Sequence, residues 1–399
     1  MIMIHGFLHR ALLGDVIRRW MYDDLRPSDA ESITRLVHFN SLFAERSLRC
    51  FSERLFRTLY GEELTTREVH RKGDLKDAIV QNPPYRSPRI EELIRRYESR
   101  PGLFFRETPC QSTLFFMAHQ GRPRYIGSSR IKRIRRLAEK GARRIMDAIF
   151  DAVKRHADQL ADGRADRIGV LREYLITTPE EMISEFLRAE ESLLERLRLG
   201  LPIHELHERA IDDVAGIKVI MEDEEARPLL TALEAIPDCE IMEQERHTGQ
   251  YNAVNLIVRY RPPKEEVLGR SPDRNLLAIM GGRGWSVGEI QKGFSDFVQT
   301  GEEWIHLEII ASSYGELLES EIGCSMHEHR IIEQRQSPQY RGYLAKNIEY
   351  LMRYFFIFPF SGRREITELP IKIWNRYLPD YFDAVIQDLF QIAPYGNLE

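Results

Sequence analysis

Between about residues 200 and 335, the sequence alternates short apolar runs typical of β-strands with segments typical of helices. Strands are predicted at 214–221, 239–245, 251–260 and 304–310. Helices are predicted up to Leu233 and over 314–321. Such alternation predicts an α/β or α+β domain. We take the α+β class, built on a small mixed sheet, as the prediction.

Outside this region, the apolar residues mostly recur at the three- to four-residue spacing of helices. A stripe of leucine and phenylalanine predicts a helix over 36–60, which Gly61 can end. A second, amphipathic helix is predicted over 128–156. Residues 103–118 fit either a buried strand or a helix, since the period of that apolar run is not decisive.

The helix predicted over 179–199 has the clearest boundaries. Thr178 and Glu181 have the spacing of a capping box, Pro179 occupies the first helical position, and Gly200 follows the last turn.

With 399 residues, the chain is long enough for two or three domains. The predicted regions are a helical N-terminal region (1–120), a helical segment with a basic amphipathic helix (121–200), the α+β domain (201–335) and a helical, aromatic C-terminal region (336–399).

Composition limits the environment and the partners of the chain. Hydrophobic residues make up 43% and charged residues 30%, as in globular proteins with a substantial core. The net charge of −5 means that any attraction to nucleic acid needs a local basic patch. The four cysteines form no CxxC pair, which predicts a reduced, cytoplasmic protein. No stretch approaches 18 apolar residues, so no membrane span is expected.

Two carboxylates stand out within the predicted sheet. Asp213 lies at the start of one strand, and Glu308 lies in the middle of another. Carboxylates on adjacent strands can share one Mg²⁺, which prefers oxygen ligands and keeps waters and substrate phosphates in its shell. One of them can also accept the proton of an attacking hydroxyl. The alternative is that both are solvated acids at strand ends.

Three short segments in a fixed order carry a resemblance to a known family. The segment Asp213–Lys218 reads Asp-Val-Ala-Gly-Ile-Lys, and it resembles the Asp-x-x-Gly-Ile-Arg strand of the RelA/SpoT alarmone synthetases. The segment Tyr251–Asn255 is similar to that family's Gly-Tyr-Arg-Ser-Leu-His segment. Glu308-Ile309-Ile310 falls where the family has Glu-Ile-Gln-Ile-Arg-Thr. The resemblance covers about residues 205–335.

The resemblance implies a nucleotidyltransferase-like fold and a Mg²⁺-dependent transfer of pyrophosphate from ATP to the 3′-hydroxyl of GDP or GTP. It implies that Asp213 binds Mg²⁺ and that Glu308 assists at the metal or at the hydroxyl. Tyr251 would stack on the acceptor base, and Asn255 and Lys218 would complete the substrate-binding set. An adenine nucleotide and the 3′ end of tRNA are the other acceptors expected within the family. The oligomeric state stays open.

The sequence also departs from the family pattern. Asn255 replaces the histidine of the second segment, and Ile310 stands where glutamine is expected. The family's basic Arg-x-Lys-Ser signature, which grips the ATP phosphates, corresponds to residues 174–181, where the basic residues are missing. Either Arg188 or the basic helix near residue 130 replaces this signature, or the protein does not bind ATP in the family's way. The alternative function is therefore a catalytically degenerate synthetase fold that binds a nucleotide or a protein.

Residues 122–144 form a strongly basic segment with a single acid, Glu139. The cations proposed to contact donor phosphates or RNA are Arg130, Lys132, Arg136 and Lys140. Three interpretations stay open: a solvated helix face, a surface that binds RNA, and a site for the phosphates of the donor nucleotide.

Overall fold

The fold was analysed on a computed structural model of the chain. The structure describes residues 2–61, 63–119, 121–203, 208–223, 225–249, 252–269, 274–323, 325–336 and 342–392.

Nine strands are present in the described residues. They are β1 (Ile2–Ile4), β2 (Leu64–Arg71), β3 (Pro109–His119), β4 (Arg122–Ile131), β5 (Arg209–Ile211), β6 (Ala215–Ile220), β7 (Cys239–His247), β8 (Ala253–Tyr260) and β9 (Ile305–Ser312).

The same part of the chain contains fourteen α-helices. They are α1 (Arg10–Met21), α2 (Asp29–Tyr60), α3 (Lys72–Gln81), α4 (Pro88–Ser99), α5 (Ile134–Ile168), α6 (Pro179–Arg198), α7 (Arg227–Ala235), α8 (Lys264–Leu268), α9 (Arg274–Gly282), α10 (Val287–Thr300), α11 (Tyr314–Leu318), α12 (Met326–Gln336), α13 (Tyr343–Ile357) and α14 (Pro379–Leu389). A π-helical turn, Glu319–Gly323, follows α11.

Seven strands form one mixed sheet in the order β2-β3-β4-β6-β9-β8-β7. Only β6 and β9 pair in parallel, and every other neighbouring pair is antiparallel. Strands β1 and β5 form a separate parallel pair. The predicted α+β class, with a central mixed sheet flanked by helices, is confirmed. The sheet nevertheless takes β2, β3 and β4 from residues 64–131, so both regions predicted to be helical, 1–120 and 121–200, also supply strands.

One face of the sheet is apolar and carries the main core. Alternate residues of the central strands, including Ile217, Val219, Ile309 and Leu256, are buried there. The long helix α2 packs against this face, and Phe56 reaches the sheet at Gly127. A Cβ atom at Gly127 would overlap both the Lys218 carbonyl oxygen and the Phe56 ring. Glycine at this position therefore lets the helix approach the backbone of β4 closely.

The opposite face is polar over much of its length. Pairing in register places one set of side chains on this face: Ser128, Arg130, Gly216, Lys218, Asn255, His306, Glu308 and Ile310. A second apolar cluster, formed with α3, α4 and α11, covers the end of β6 near Ile220. The ionisable side chains of Arg130 and Glu308 lie at the other end of β6, near Gly216.

A buried ion network joins the polar face to the covering helices. Lys218 Nζ lies 3.0 Å from one oxygen of Glu321, and Lys72 Nζ lies 3.2 Å from the other. Lys72 and Lys76 also pair with Glu328, at 3.2 and 3.5 Å. Burial lowers the pKa of the fully enclosed Lys76, although the two glutamates oppose the shift. These contacts tie β6 and α3 to the chain that follows α11.

Several boundaries test the sequence predictions. The helix predicted over 179–199 is confirmed as α6, with the Thr178–Glu181 capping box present. The open segment 103–118 contains strand β3. The prediction of a helix from Ser128 is wrong at its start, because residues 128–131 belong to β4 and α5 begins at Ile134. Pairing of β4 with both β3 and β6 outweighs the local helical spacing there.

We expect Glu321→Ala to lower the free energy of unfolding by about 3–5 kcal/mol, because it removes the buried carboxylate that pairs with Lys218 and one of the two that pair with Lys72. Urea unfolding followed by circular dichroism measures the loss. The control is Glu92→Ala, which removes an exposed pair with Arg89 and should cost less than about 1 kcal/mol. Equal losses in the two variants would contradict a structural role for this network.

Candidate functional site

Asp213 lies in the short connection between β5 and β6, and two lysines converge on it. Lys132 Nζ lies 2.8 Å and Lys140 Nζ 2.5 Å from the same oxygen, Oδ2. Lys132 also donates to the Asp213 carbonyl oxygen, and its own backbone N–H donates to the Val214 carbonyl oxygen. In the described part of the chain, the buried Asp213 Oδ1 has no hydrogen-bond partner.

Glu308 lies directly beside this cluster because of the parallel register of β6 and β9. Gly216 pairs with Glu308 across these strands. A Cβ atom at Gly216 would lie 3.4 Å from Glu308 Oε2, so the missing side chain leaves the Glu308 carboxyl room against the strand. The predicted arrangement, two carboxylates associated with adjacent strands, is thus present in the fold.

Burial and the lysines shift the pKa values of the two acids in opposite directions. Burial by itself raises the pKa of Asp213, but Lys132 and Lys140 outweigh it and hold that pKa below its usual value. Burial raises the pKa of Glu308, with Lys132 opposing and Asp213 adding to the rise. Burial also lowers the pKa of Lys132. Two neighbouring acids with opposite shifts are a pattern found at sites that handle protons.

The four cations predicted to bind phosphate or RNA have different surroundings. Lys132 and Lys140 contact Asp213. Arg130 pairs with Gly216 across β4 and β6 and lies on the same face as Glu308. Arg136 instead donates to Glu139 and to the side chain of Gln334 in α12, at 2.9 and 2.7 Å. Three of the four predicted cations therefore lie at the carboxylates, and Arg136 is engaged elsewhere.

The predicted substrate-binding residues are further along the polar face. Asn255 is opposite Ile310 across β8 and β9, and its buried side-chain oxygen has no partner among the described residues. Lys218 lies on the same face, but its ammonium group is paired with the buried Glu321. Tyr251 lies outside the described residues.

The segment assigned to the basic signature is not where cations meet the carboxylates. Near residues 174–181, Tyr174 is 69% and Ile176 is 91% exposed. Cations of the basic segment 122–144 lie at the carboxylates instead, with Lys132 in contact with Asp213. Lys132 and Asp213 are 81 positions apart, with α5 and α6 between them along the chain, so a local spacing motif does not indicate their contact.

A second cluster adjoins the first and was missed by sequence reasoning. His5 Nδ1 lies 2.6 Å and His306 Nδ1 2.7 Å from Asp212 Oδ1. Burial raises the pKa of Asp212, but the hydrogen bonds with His306 and His5 lower it well below its usual value. The only local signals were the Asp212–Asp213 pair and a histidine two residues before Glu308. His5 is 207 positions from Asp212, so no spacing motif indicates it.

Comparisons with protein-family models, curated proteins and solved structures find no match for this chain. Within the described residues, no helix combines the length and the apolar character that crossing a bilayer requires.

We expect Glu308→Gln to stabilise the folded protein at neutral pH. Because burial raises the pKa of Glu308, the folded state favours the protonated carboxyl, and ionisation of Glu308 opposes folding. The penalty is absent below the unfolded pKa of about 4.3 and develops as the pH rises through the folded pKa. The gain in unfolding free energy should therefore be present at neutral pH and vanish near about pH 4.

Urea unfolding at the two pH values checks this expectation. Glu303→Gln is the matched control, since the Glu303 side chain is 65% exposed and the change should be small at both pH values. A Glu308→Gln protein that is less stable than the wild type at neutral pH would show that the ionised carboxylate contributes to the fold.

Proposed function

We propose that this protein is a cytoplasmic, Mg²⁺-dependent transferase that moves pyrophosphate from ATP to the 3′-hydroxyl of a nucleotide or of tRNA. The observation that supports the proposal best is the convergence of Lys132 and Lys140 on Asp213, next to Glu308. A triphosphate donor needs cations close to its metal-binding acids, since otherwise its charge stays uncompensated. The resemblance to the RelA/SpoT synthetases supplies the reaction type.

The lysines would exchange partners when the donor binds. In the structure, both ammonium groups neutralise Asp213 Oδ2. A triphosphate offers stronger competing acceptors, so Lys132 and Lys140 would turn to its oxygens, with Arg130 on the same face. Asp213 would then be released to act as a metal ligand. With this exchange, the negative charges at the site are neutralised both before and after the donor binds.

The residues at the site fit Mg²⁺. Asp213 and Glu308 offer only oxygen ligands, and the buried Asp213 Oδ1 lacks a hydrogen-bond partner in the described part of the chain. When bound, Mg²⁺ would neutralise charge on the transferring group and orient the donor phosphates. The protein would supply the remaining compensation from Lys132 and Lys140.

In the proposed transfer step, Glu308 accepts the proton of the attacking hydroxyl. The acceptor hydroxyl oxygen forms a bond to the β-phosphorus of ATP, the bond from that phosphorus to the α,β-bridging oxygen breaks, and AMP leaves. The hydroxyl proton passes to the Glu308 carboxylate, whose raised pKa makes it a better proton acceptor than Asp213. Asp213, whose pKa is lowered, stays ionised during the step.

The acceptor would lie further along the polar face. Asn255 offers a buried amide oxygen without a described partner, and it is suited to accept a hydrogen bond from a base or a ribose. Lys218 is less suited to bind the acceptor nucleotide, because its ammonium group already pairs with Glu321. This pairing favours the second candidate, a site that binds a nucleotide without transferring pyrophosphate.

We expect the purified protein to transfer label from γ-labelled ATP in the presence of Mg²⁺. The acceptors to supply separately are GDP, GTP, ADP, ATP and bulk tRNA, because the γ-phosphate travels with the transferred pyrophosphate. Asp213→Ala and Lys140→Ala should each lower the transfer rate by about 10²-fold or more, as expected when charge stabilisation of the transition state is lost. Lys154→Ala is the control, because Lys154 is an exposed lysine of the same helix, α5.

The assay separates the candidate functions. Transfer to one acceptor that both active-site variants lose would establish the transferase and name its substrate class. Binding of ATP without transfer to any acceptor would favour the degenerate, nucleotide-binding alternative. Transfer that survives in Asp213→Ala would exclude this site as the reaction centre.

A further inference from the structure

We infer that His5, Asp212 and His306 bind a divalent first-row transition-metal ion with an open coordination position. Two imidazoles and one carboxylate form a ligand set that suits Zn²⁺, Fe²⁺, Mn²⁺ or Co²⁺. Imidazole nitrogen makes the set a poor one for Mg²⁺ and Ca²⁺, which take oxygen ligands. The inferred ion is therefore distinct from the Mg²⁺ of the proposed transfer reaction.

The donor atoms already converge on a small space. One ring nitrogen of His5, one of His306 and a carboxylate oxygen of Asp212 all lie within 4.8 Å of one another. Around a tetrahedral ion with bonds of about 2.0–2.1 Å, neighbouring donor atoms lie about 3.3 Å apart. The separations of 2.6 and 2.7 Å from Asp212 Oδ1 need only a small widening by side-chain rotation to reach this value.

Backbone hydrogen bonds hold the three ligands together independently of their side chains. His5 directly follows β1 and Asp212 directly follows β5, and these strands pair in parallel. The His5 N–H donates to the Ile211 carbonyl oxygen at 3.0 Å, and the His306 N–H donates to the His5 carbonyl oxygen at 3.1 Å. Ligands fixed on strands are pre-organised, so less conformational freedom is lost when the ion binds.

The three side chains of the cluster are partly exposed to solvent. The side chains of His5, Asp212 and His306 are 26%, 29% and 18% exposed, so an ion can enter and water can reach it. The described residues contribute three ligands, which leaves a position for water or for a substrate oxygen. Three protein ligands plus water is the arrangement of catalytic rather than of structural zinc sites.

The inferred metal site lies on the same face of the sheet as the proposed transfer site. His306 and Glu308 are two residues apart on β9, which corresponds to about 6.7 Å along a strand. Asp212 is also adjacent to Asp213 in the chain. The inference does not rest on the proposed function, since metal binding needs neither ATP nor an acceptor.

Titration of the full-length, tag-free protein with Co²⁺, followed by visible absorption, tests the inference without nucleotide. The wild type should bind one Co²⁺ per chain, and Zn²⁺ should displace it, whereas Mg²⁺ should not. His5→Ala and His306→Ala should each weaken Co²⁺ binding by at least about tenfold, because changes to the groups that only orient ligands already cost that much. His70→Ala is the control, since His70 is an exposed histidine of β2 far along the chain from the cluster.

Circular dichroism of each variant separates lost ligation from lost folding. If His306→Ala does not fold, then His5→Ala and His5→Gln decide the question. Weakened binding in a folded variant, with unchanged binding in His70→Ala, supports the site. Binding that is equally tight in the wild type and in a folded His5 variant overturns it, and so does a wild type that binds no Co²⁺. In either case Asp212 serves only to orient two histidines.

Discussion

The parallel pairing of β6 with β9 is the constraint on which the rest of the site depends. It joins the strand that follows Asp213 to the strand that carries Glu308, with Gly216 directly beside that glutamate. A shift of one residue in this register would turn Glu308 into the apolar core and expose Ile309. Because the other face buries a continuous core against α2, such a shift is strongly disfavoured. The core thus determines which side chains meet at the polar face.

Electrostatic compensation then decides how these charges can coexist. An unpaired buried charge is too costly to keep, so each carboxylate is either matched by lysines or shifted towards its protonated form. Lysines neutralise Asp213, whereas burial raises the pKa of Glu308 and favours its protonated form. Such a site stays stable without a ligand and still presents cations that a polyphosphate can attract. The network around Glu321 uses the same physics for a structural purpose, since Lys72, Lys76, Glu321 and Glu328 are all buried.

Local patterns predicted the elements better than the contacts between them. The capping residues of α6 and the alternation of β6, β8 and β9 were readable because those signals lie within one segment. The strand at 128–131 was not, because pairing with β3 and β6 overrides the local spacing. The meeting of Lys140 with Asp213 joins residues 73 positions apart, and His5 meets Asp212 across a still longer separation. Spacing motifs relate residues that are close in the sequence, so they could not predict these contacts. The residue types, carboxylates and lysines, did indicate the kind of site.

We propose that Lys132, Lys140, Asp213 and Glu308 form a polyphosphate site. Calorimetric titration with Mg²⁺ and ATP, carried out on the wild type, Lys140→Ala and Lys154→Ala, tests this most directly. We expect Lys140→Ala to weaken binding by at least about tenfold, which corresponds to about 1.4 kcal/mol, since a charge-assisted contact with phosphate is lost. Lys154→Ala should bind as the wild type does. Equal affinities in all three proteins, or no binding by the wild type, would exclude a polyphosphate site at these residues.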